Sequence, residues 1–296
     1  MNSLDALEDR SCRTVSLRHR TLLLIALTLL GAGLLPACGG GHDSDPAVTN
    51  LAATSARFSR AATVTVNGRN LKSGIVVRTE GGCENLTLVT NGSDDTQQYT
   101  CDVLGVGELQ VIVETQEGRF LGRLAFQVPQ PQVSITTSKG VITMELDAAK
   151  SPLTARNFLN YIASGFYRNT LVDSAIPDKG LVAGRYNTGL IAKAATQPAI
   201  KLESNNGLQH VRGAVGMLRG DASDSATTAW FINTTANTDL DFVDAEHPGY
   251  AVFGRVLTGM DVVDAITGVA TKTVESKFLS NAPVAEIAIT AATQTQ

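Results

Sequence analysis

The chain has 296 residues, with 24 Lys and Arg against 28 Asp and Glu, so its formal net charge is −4. Charged residues make up only 18% of the chain and hydrophobic residues 43%. This composition excludes a disordered chain, and it argues against nucleic-acid binding because no basic excess is available to neutralise phosphates. The length is sufficient for about two domains.

The first segment has the pattern of an export signal. Basic residues precede an apolar run over residues 22–35, which is too short to span a membrane comfortably and is typical of a signal-peptide core. The run ends in Leu-Pro-Ala-Cys at Cys38, which resembles the bacterial lipobox. The alternatives are an ordinary signal peptide or a weak membrane anchor.

The lipobox resemblance implies that residues 1–37 are a lipoprotein signal peptide and that the Cys38 thiol carries lipid. Gly39, and not an acidic residue, follows the cysteine, which in such lipoproteins implies transport to the outer membrane. We therefore expect a chain in the bacterial cell envelope, lipid-anchored and facing the periplasm. Residues 38–46 are predicted to be a flexible tether.

Residues 47–129 predict a small β-sandwich. Short segments rich in β-branched residues occur at 63–66, 74–77, 109–113 and 121–128, with turn signals such as Asn-Gly and Gly-Gly between them. In pattern, strands at this spacing resemble the immunoglobulin-like modules of bacterial envelope proteins.

Cys83 and Cys101 both lie in this region, with 17 residues between them. Because the exported compartment is oxidising, we expect a disulfide, worth about 3 kcal/mol in the chain-entropy model. A metal site is the poorer alternative, since no His lies between the two cysteines. His42, His210 and His247 have no carboxylate or Cys partner at ligand spacing, so we predict no metal site and no cofactor.

Beyond a Pro-Gln-Pro junction the pattern changes. Two alternating segments flank the turn at 138–140 and predict a β-hairpin. A helix is predicted next, with Ser151 as its N-cap, Pro152 at its first position and Gly165 at its end. A second short helix is predicted over residues 260–266.

Several blocks in this second region stand in the order of one known family. They are 137–143 (TSKGVIT), 155–161 (ARNFLNY), 164–167 (SGFY), 213–217 (GAVGM), 224–227 (DSAT), 231–233 (FIN), 250–256 (YAVFGRV) and 259–263 (GMDVV). With these blocks, residues 132–292 resemble the cyclophilins, the peptidyl-prolyl isomerases built on a closed eight-stranded antiparallel β-barrel capped by two helices. We therefore expect a mainly β chain, a small β-sandwich followed by a cyclophilin-like barrel.

The resemblance implies an isomerase that acts on proline-containing peptides or exported proteins. An X–Pro bond faces a rotational barrier of about 18–20 kcal/mol because of amide resonance. Cyclophilins hold the proline ring in an apolar pocket and place a cationic donor beside the prolyl nitrogen, which stabilises the twisted state more than the planar ones. The residues at the pocket positions of this chain are Met217, Leu218, Phe231, Leu240 and Tyr250.

The chain departs from the family at the reacting centre. The Ile176-Pro177 pair aligns with the family strand Phe-His-Arg-Val-Ile-Pro and places Ser174 at the catalytic Arg position. In the same register, Val182 replaces the Gln that positions the substrate backbone, and Lys179 replaces a cleft aromatic. Asp239, directly before Leu240-Asp241, stands where the family usually has a second cleft aromatic. Replacing a charged donor with a hydroxyl removes an interaction typically worth about 2.7–4 kcal/mol.

Arg185 and Arg219 are candidate substitutes for the missing cation. Their ordinary interpretation is a solvated or ion-paired surface arginine, which is the one we expect. Two hypotheses about function follow: a cyclophilin-type isomerase with a weakened catalytic centre, or a catalytically inactive cyclophilin-like module that binds peptides or proteins.

Overall fold

The computed structural model describes residues 45–89, 92–277 and 279–296. The predicted signal peptide, Cys38 and nearly all of the predicted tether lie outside these ranges. Within them, no helix is long and apolar enough to cross a membrane.

The N-terminal region consists of seven antiparallel strands. They are β1 (Ala47–Ala53), β2 (Ala61–Arg69), β3 (Ile75–Glu80), β4 (Cys83–Leu88), β5 (Thr96–Val103), β6 (Gly107–Thr115) and β7 (Phe120–Val128). Strands β1-β2-β5-β4 form one sheet and β3-β6-β7 form another. The four segments predicted as strands fall in β2, β3, β6 and β7. Alternate residues of β2, such as Val64 and Val66, are fully buried, as expected for a strand with one face in a core.

The predicted disulfide between Cys83 and Cys101 is confirmed. It joins the neighbouring strands β4 and β5, with 5.5 Å between the two Cα atoms, within the usual range for disulfides. Both cysteines are buried, so the bond links the edge strand β4 to the interior of the region.

The C-terminal region is a closed barrel. Its strands and helices are β8 (Gln132–Thr137), β9 (Gly140–Leu146), α1 (Pro152–Ala163), β10 (Thr170–Ile176), β11 (Gly180–Asn187), β12 (Ile191–Ala192), β13 (Ala214–Met217), β14 (Trp230–Asn233), β15 (Ala251–Thr258), α2 (Met260–Thr267), β16 (Thr271–Val274), β17 (Leu279–Pro283) and β18 (Ile287–Gln294). Eight strands follow the order β10-β18-β8-β9-β15-β13-β14-β11, and pairing of β10 with β11 closes the ring. This confirms the predicted eight-stranded antiparallel barrel with two helices.

Both predicted helices are present, and the first begins at Pro152 after Ser151 as predicted, but its capping hydrogen bonds come from another residue. Ser151 is at the N-cap position of α1, yet its hydroxyl makes no capping hydrogen bond and donates instead to the carbonyl oxygen of Val252 at 2.8 Å. The Glu203 carboxylate accepts the backbone N–H groups of Leu153 and Thr154, at 3.1 and 2.8 Å. The cap therefore comes from a distant loop, and it brings a negative charge to the positive end of the helix dipole.

The N-terminal region packs directly against the barrel. Phe58, in the loop between β1 and β2, is 1% exposed and belongs to a continuous apolar cluster that includes the barrel core. Its backbone oxygen accepts a hydrogen bond from Gln294 Nε2 at 3.2 Å, and Arg60 Nε donates to Gln294 Oε1 at 3.1 Å. The two regions therefore share a core.

We expect Phe58→Ala to destabilise the protein by about 3–5 kcal/mol, because it removes a fully buried aromatic ring and leaves a cavity. Phe120→Ala is the matched control, since Phe120 lies in the same region and is 61% exposed; its effect should stay within about 0.5 kcal/mol. Calorimetry checks both values. Because the core is shared, Phe58→Ala should also lower the unfolding temperature of the barrel, and an unchanged barrel transition would contradict the shared core.

Candidate active site

An apolar cavity of about 200 Å³ opens on the barrel between β11, β14 and the loop before β15. It is smaller than a pocket for a drug-sized ligand and suits one side chain. Its lining residues are Ile176, Lys179, Gly180, Leu181, Val182, Leu218, Phe231, Ile232, Asn233, Asn237, Leu240 and Tyr250.

Of the five predicted pocket residues, the structure places four around this cavity and one elsewhere. Leu218, Phe231, Leu240 and Tyr250 are on its wall, and the Phe231 and Tyr250 rings meet edge to face with centroids 5.9 Å apart. Met217 is not part of the lining. It is 1% exposed and belongs to the barrel core, because its position on β13 turns its side chain inward.

A buried polar network supports the Phe231 ring from behind. The His210 ring stacks on Phe231, with centroids 5.3 Å apart and an angle of 16° between the planes. His210 Nε2 lies 3.1 Å from the carbonyl oxygen of Tyr250, and Asn233 Nδ2 lies 3.2 Å from His210 Nδ1. Asn237 Nδ2 in turn donates to Asn233 Oδ1 at 2.7 Å, so the network fixes both amides and the imidazole.

These contacts suit a neutral His210 with its proton on Nε2, because an amide donor faces Nδ1. Burial lowers the pKa of His210, and the Tyr250 carbonyl and the carboxylates of Asp241 and Asp239 oppose that shift only in part. The floor of the cavity therefore rests on an uncharged imidazole.

The rim of the cavity carries charge where the family has aromatic rings. Lys179 Nζ lies 3.5 Å from Asp239 Oδ2, and both side chains are more than half exposed. Such a pair contributes little to stability in water. Its main effect is to make this edge of the cavity polar.

The barrel closure between β10 and β11 brings Ser174, the residue predicted at the reacting centre, beside the cavity. Ser174 on β10 pairs with Val182 on β11, and Val182 lines the cavity. Paired residues share a face of the sheet, so the Ser174 side chain lies next to the cavity wall. Ser174 is 7% exposed.

The same ladder contains two irregularities that the sequence did not predict. Val172 pairs with Ala183 and Ser174 pairs with Val182, so β10 has an extra residue between these pairs, and Asp173 has no partner in the register. Between Thr170 and Val172 the extra residues are on β11 and include Gly184 and Arg185. Gly184 has a φ of +97°, which glycine adopts without strain.

These bulges bring Arg185 onto Asp173 and Ser174. Arg185 Nε donates to Asp173 Oδ1 at 3.1 Å, and Nη2 donates to the same oxygen. Nη2 also lies 3.4 Å from Ser174 Oγ. Asp173 is fully buried; burial raises the pKa of its carboxyl group, and Arg185 opposes that shift.

Arg219 is bound to the loops beside the cavity. Its Nε donates to the Gly249 carbonyl at 2.9 Å, and Nη1 donates to the carbonyls of Gly220 and Asp221. Its guanidinium carbon lies 4.9 Å from the centroid of the Tyr250 ring. These contacts hold together the two loops at the rim of the cavity that contain Gly220 and Gly249.

Sequence reasoning missed Asp173, His210, Asn233 and Asn237 as parts of the site. Asp173 gave no signal because its position depends on a bulge. The pair of Asn233, at the end of the buried strand β14, and Asn237, four residues later, was the clue available for the polar network. Among the described residues, no group of three or more His, Cys, Asp or Glu side chains could hold a metal ion.

The depressed pKa of His210 gives stability a pH dependence. The unfolded chain takes up a proton below about pH 6.5, whereas the folded chain does so only at lower pH. Folding stability should therefore be highest above pH 6.5 and fall on acidification, by at most about 1.4 kcal/mol per pH unit for this group.

Urea unfolding at pH 7.5 and pH 5.0 tests this dependence. We expect His210→Gln to reduce the pH dependence. His247→Gln is the control, since the side chain of His247 is 71% exposed and the substitution should leave the pH dependence unchanged. Equal pH dependence in the wild-type and His210→Gln proteins would be evidence against a buried neutral imidazole.

Comparison with known proteins places the barrel in one family. The sequence model described as cyclophilin type peptidyl-prolyl cis-trans isomerase/CLD matches residues 132–294. Peptidyl-prolyl cis-trans isomerase A of Dickeya dadantii is 42% identical over 142 residues, which are 48% of this chain and 74% of that protein. Peptidyl-prolyl cis-trans isomerase B of Escherichia coli is 42% identical over 141 residues, which are 47% of this chain and 85% of that protein.

Among solved structures, a cyclophilin-type isomerase of Cryptosporidium parvum aligns with a TM-score of 0.48 and 22% identity. The alignment covers 56% of this chain and 98% of that one. The family match spans more than half of the chain and coincides with the barrel and its cavity. The chain belongs to the cyclophilin-type peptidyl-prolyl cis-trans isomerases.

Proposed function

We propose that this protein is an envelope-anchored prolyl isomerase that binds proline-containing segments of exported proteins and turns them over more slowly than relatives with the family arginine. The observation that carries the proposal is the contrast between an apolar cavity formed by Phe231, Leu240 and Tyr250 and the hydroxyl of Ser174 at the neighbouring reacting-centre position.

The cavity supports binding of proline. A proline ring is apolar and has no N–H, so an apolar pocket can hold it without leaving a donor unsatisfied. Phe231 is fixed from behind by the stacked His210 ring, and this fixed wall limits the entropy lost on binding.

The side chain at the reacting-centre position supports the proposal of a reduced rate. A serine hydroxyl carries no charge and is shorter than an arginine side chain, so it stabilises the electron pair on the twisted prolyl nitrogen less. Removal of one preorganised donor typically lowers turnover by about a hundred- to a thousandfold. Val182 provides no hydrogen bond where the family has a glutamine, so the substrate backbone is also held less firmly.

The second candidate function is peptide or protein binding without catalysis. The same contrast favours it, because the binding surface is retained while Ser174 and Val182 remove the two polar groups that act on the reacting bond. The two hypotheses differ in turnover and agree on binding.

An isomerisation assay on a prolyl peptide, read by NMR exchange, separates them. We expect measurable catalysis by the wild-type chain, at a rate below that of relatives with the family arginine, because a hydroxyl stands at the position of a preorganised charged donor. Phe231→Ala should weaken peptide binding by about 10-fold or more, since it removes the wall of the pocket. Binding without catalysis in the wild-type chain would leave the binding function as the correct one.

The N-terminal region is proposed to be an immunoglobulin-like module that holds the barrel away from the lipid anchor. Its strand order, β1-β2-β5-β4 and β3-β6-β7, supports this interpretation, because a constant-type immunoglobulin domain has the same order. The disulfide between Cys83 and Cys101 supports an oxidising compartment.

The anchor is proposed to be lipid on Cys38. We expect mass spectrometry of the mature N-terminus to find a diacylated Cys38, because the apolar run and the small residues before it have the lipobox pattern. Cys38→Ser should abolish the lipid modification and leave residues 1–37 uncleaved. A mature chain that starts elsewhere and carries no lipid would refute the anchor without affecting the isomerase assignment.

A further inference from the structure

We infer that Arg185 supplies the cation of the cleft in place of the family arginine, and that the buried Asp173 is the positioning residue that holds it. This inference rests on the proposed function, because it matters only if the chain catalyses isomerisation. It assigns the role of the missing family arginine, at Ser174 on β10, to Arg185 on β11.

The first support is where the guanidinium lies. Arg185 Nη2 is 3.4 Å from Ser174 Oγ, and Ser174 is the register partner of Val182 on the cavity wall. A guanidinium that extends from β11 therefore reaches the strand position from which the family arginine extends. The Arg185 side chain is 32% exposed, so solvent reaches it, and it contacts Ser174 behind the cavity wall although it is not itself a lining residue.

The second support is how the guanidinium is held. Nε and Nη2 both donate to Asp173 Oδ1, and Asp173 is completely buried. Two bonds to one fixed oxygen restrict the rotation of the planar group. In the described part of the chain no hydrogen-bond partner of Nη1 is found, so its N–H groups are available to a ligand.

The third support is evidence against two simpler alternatives, an ordinary surface ion pair at Arg185 and the use of Arg219 as the cation. A surface ion pair would not need a fully buried carboxylate whose second oxygen, Oδ2, has no hydrogen-bond partner among the described residues; such an arrangement costs stability. Costly buried polar groups are common at functional sites. Arg219, the other candidate, already donates to three backbone carbonyls.

The chemistry requires no covalent step. An N–H of Arg185 would donate to the prolyl nitrogen as its lone pair leaves conjugation with the carbonyl group. The donor strengthens its interaction as the bond twists, so it stabilises the transition state more than either planar isomer. Ser174, with a small side chain, leaves the space that the guanidinium occupies.

The test compares variants of the purified full chain by kcat, KM and peptide affinity, with melting temperature as a check on folding. Arg185→Met should lower kcat by about tenfold or more and change KM little, because the donor acts mainly in the transition state. Arg185→Lys should give a partial loss, because one ammonium group cannot reproduce the fork that contacts both Asp173 and Ser174.

Arg185→Met leaves Asp173 buried and unpaired, so it can also impair folding. The double variant Asp173→Asn with Arg185→Met avoids this unpaired charge, and it should fold and show the same loss in kcat. Addition of Ser174→Arg to the double variant should restore turnover. Arg255→Met is the matched control: Arg255 pairs with Glu145 on the barrel surface, its side chain is 68% exposed, and kcat should be unchanged.

Asp173→Asn alone tests the positioning role. It keeps an acceptor for Arg185 and removes the charge, so we expect a smaller loss in kcat than Arg185→Met gives, with unchanged peptide affinity. Wild-type turnover in the double variant would overturn this inference and leave the isomerase assignment intact. A wild-type chain that binds peptide but shows no turnover would overturn both.

Discussion

The closing ladder of the barrel, between β10 and β11, is the constraint on which the site depends. A closed barrel must pair its last two strand edges, and here the two edges do not match residue for residue. Two bulges absorb the mismatch, one at Asp173 and one around Gly184. A bulge bends a strand and redirects its side chains. Because of these two bulges, a carboxylate and a guanidinium from different strands meet beside Ser174, next to the wall of the apolar cavity.

The cavity has an apolar side and a polar side, and different interactions fix the two sides. The apolar side is ordinary barrel core that reaches the surface: Phe231 belongs to a central strand, and its ring stacks on His210. The polar side includes a buried group that is only partly satisfied: Asp173 Oδ2 has no hydrogen-bond partner in the described part of the chain. Core packing fixes the apolar side independently of function. The second side costs stability, since an unpaired buried oxygen has lost its water, and a cost retained at one edge of an apolar cavity indicates a functional role for that edge.

The sequence was sufficient for the architecture and for most of the cavity wall. Alternation and turn signals located strands such as β2 and β6. The expectation of an oxidising compartment predicted the pairing of Cys83 with Cys101, and family blocks predicted the barrel with Leu218, Phe231, Leu240 and Tyr250. The failures have a common physical origin, because each depends on contacts between residues far apart in the chain. Met217 was assigned to the pocket although strand direction turns it into the core, and Ser151 was assigned a cap that Glu203, some fifty residues later, supplies instead. No local pattern encodes the register of a closing ladder, so Asp173 gave no signal.

The position of Ser174 changes how the departure from the family is interpreted. In the sequence, the loss of an arginine at a reacting centre indicates loss of function, because a hydroxyl cannot stabilise charge as a cation does. In the structure, the small side chain and the cation from the next strand are in contact, 3.4 Å apart, and the same bulge that leaves Asp173 without a partner in the register gives that cation its counter-ion. A cleft that had simply decayed would have no reason to bury a carboxylate at a structural cost. The arrangement is better explained as a cation moved from β10 to the neighbouring strand β11. The Asp173 carboxylate orients the Arg185 guanidinium, the guanidinium balances the buried charge of Asp173, and the small side chain of Ser174 leaves room for both.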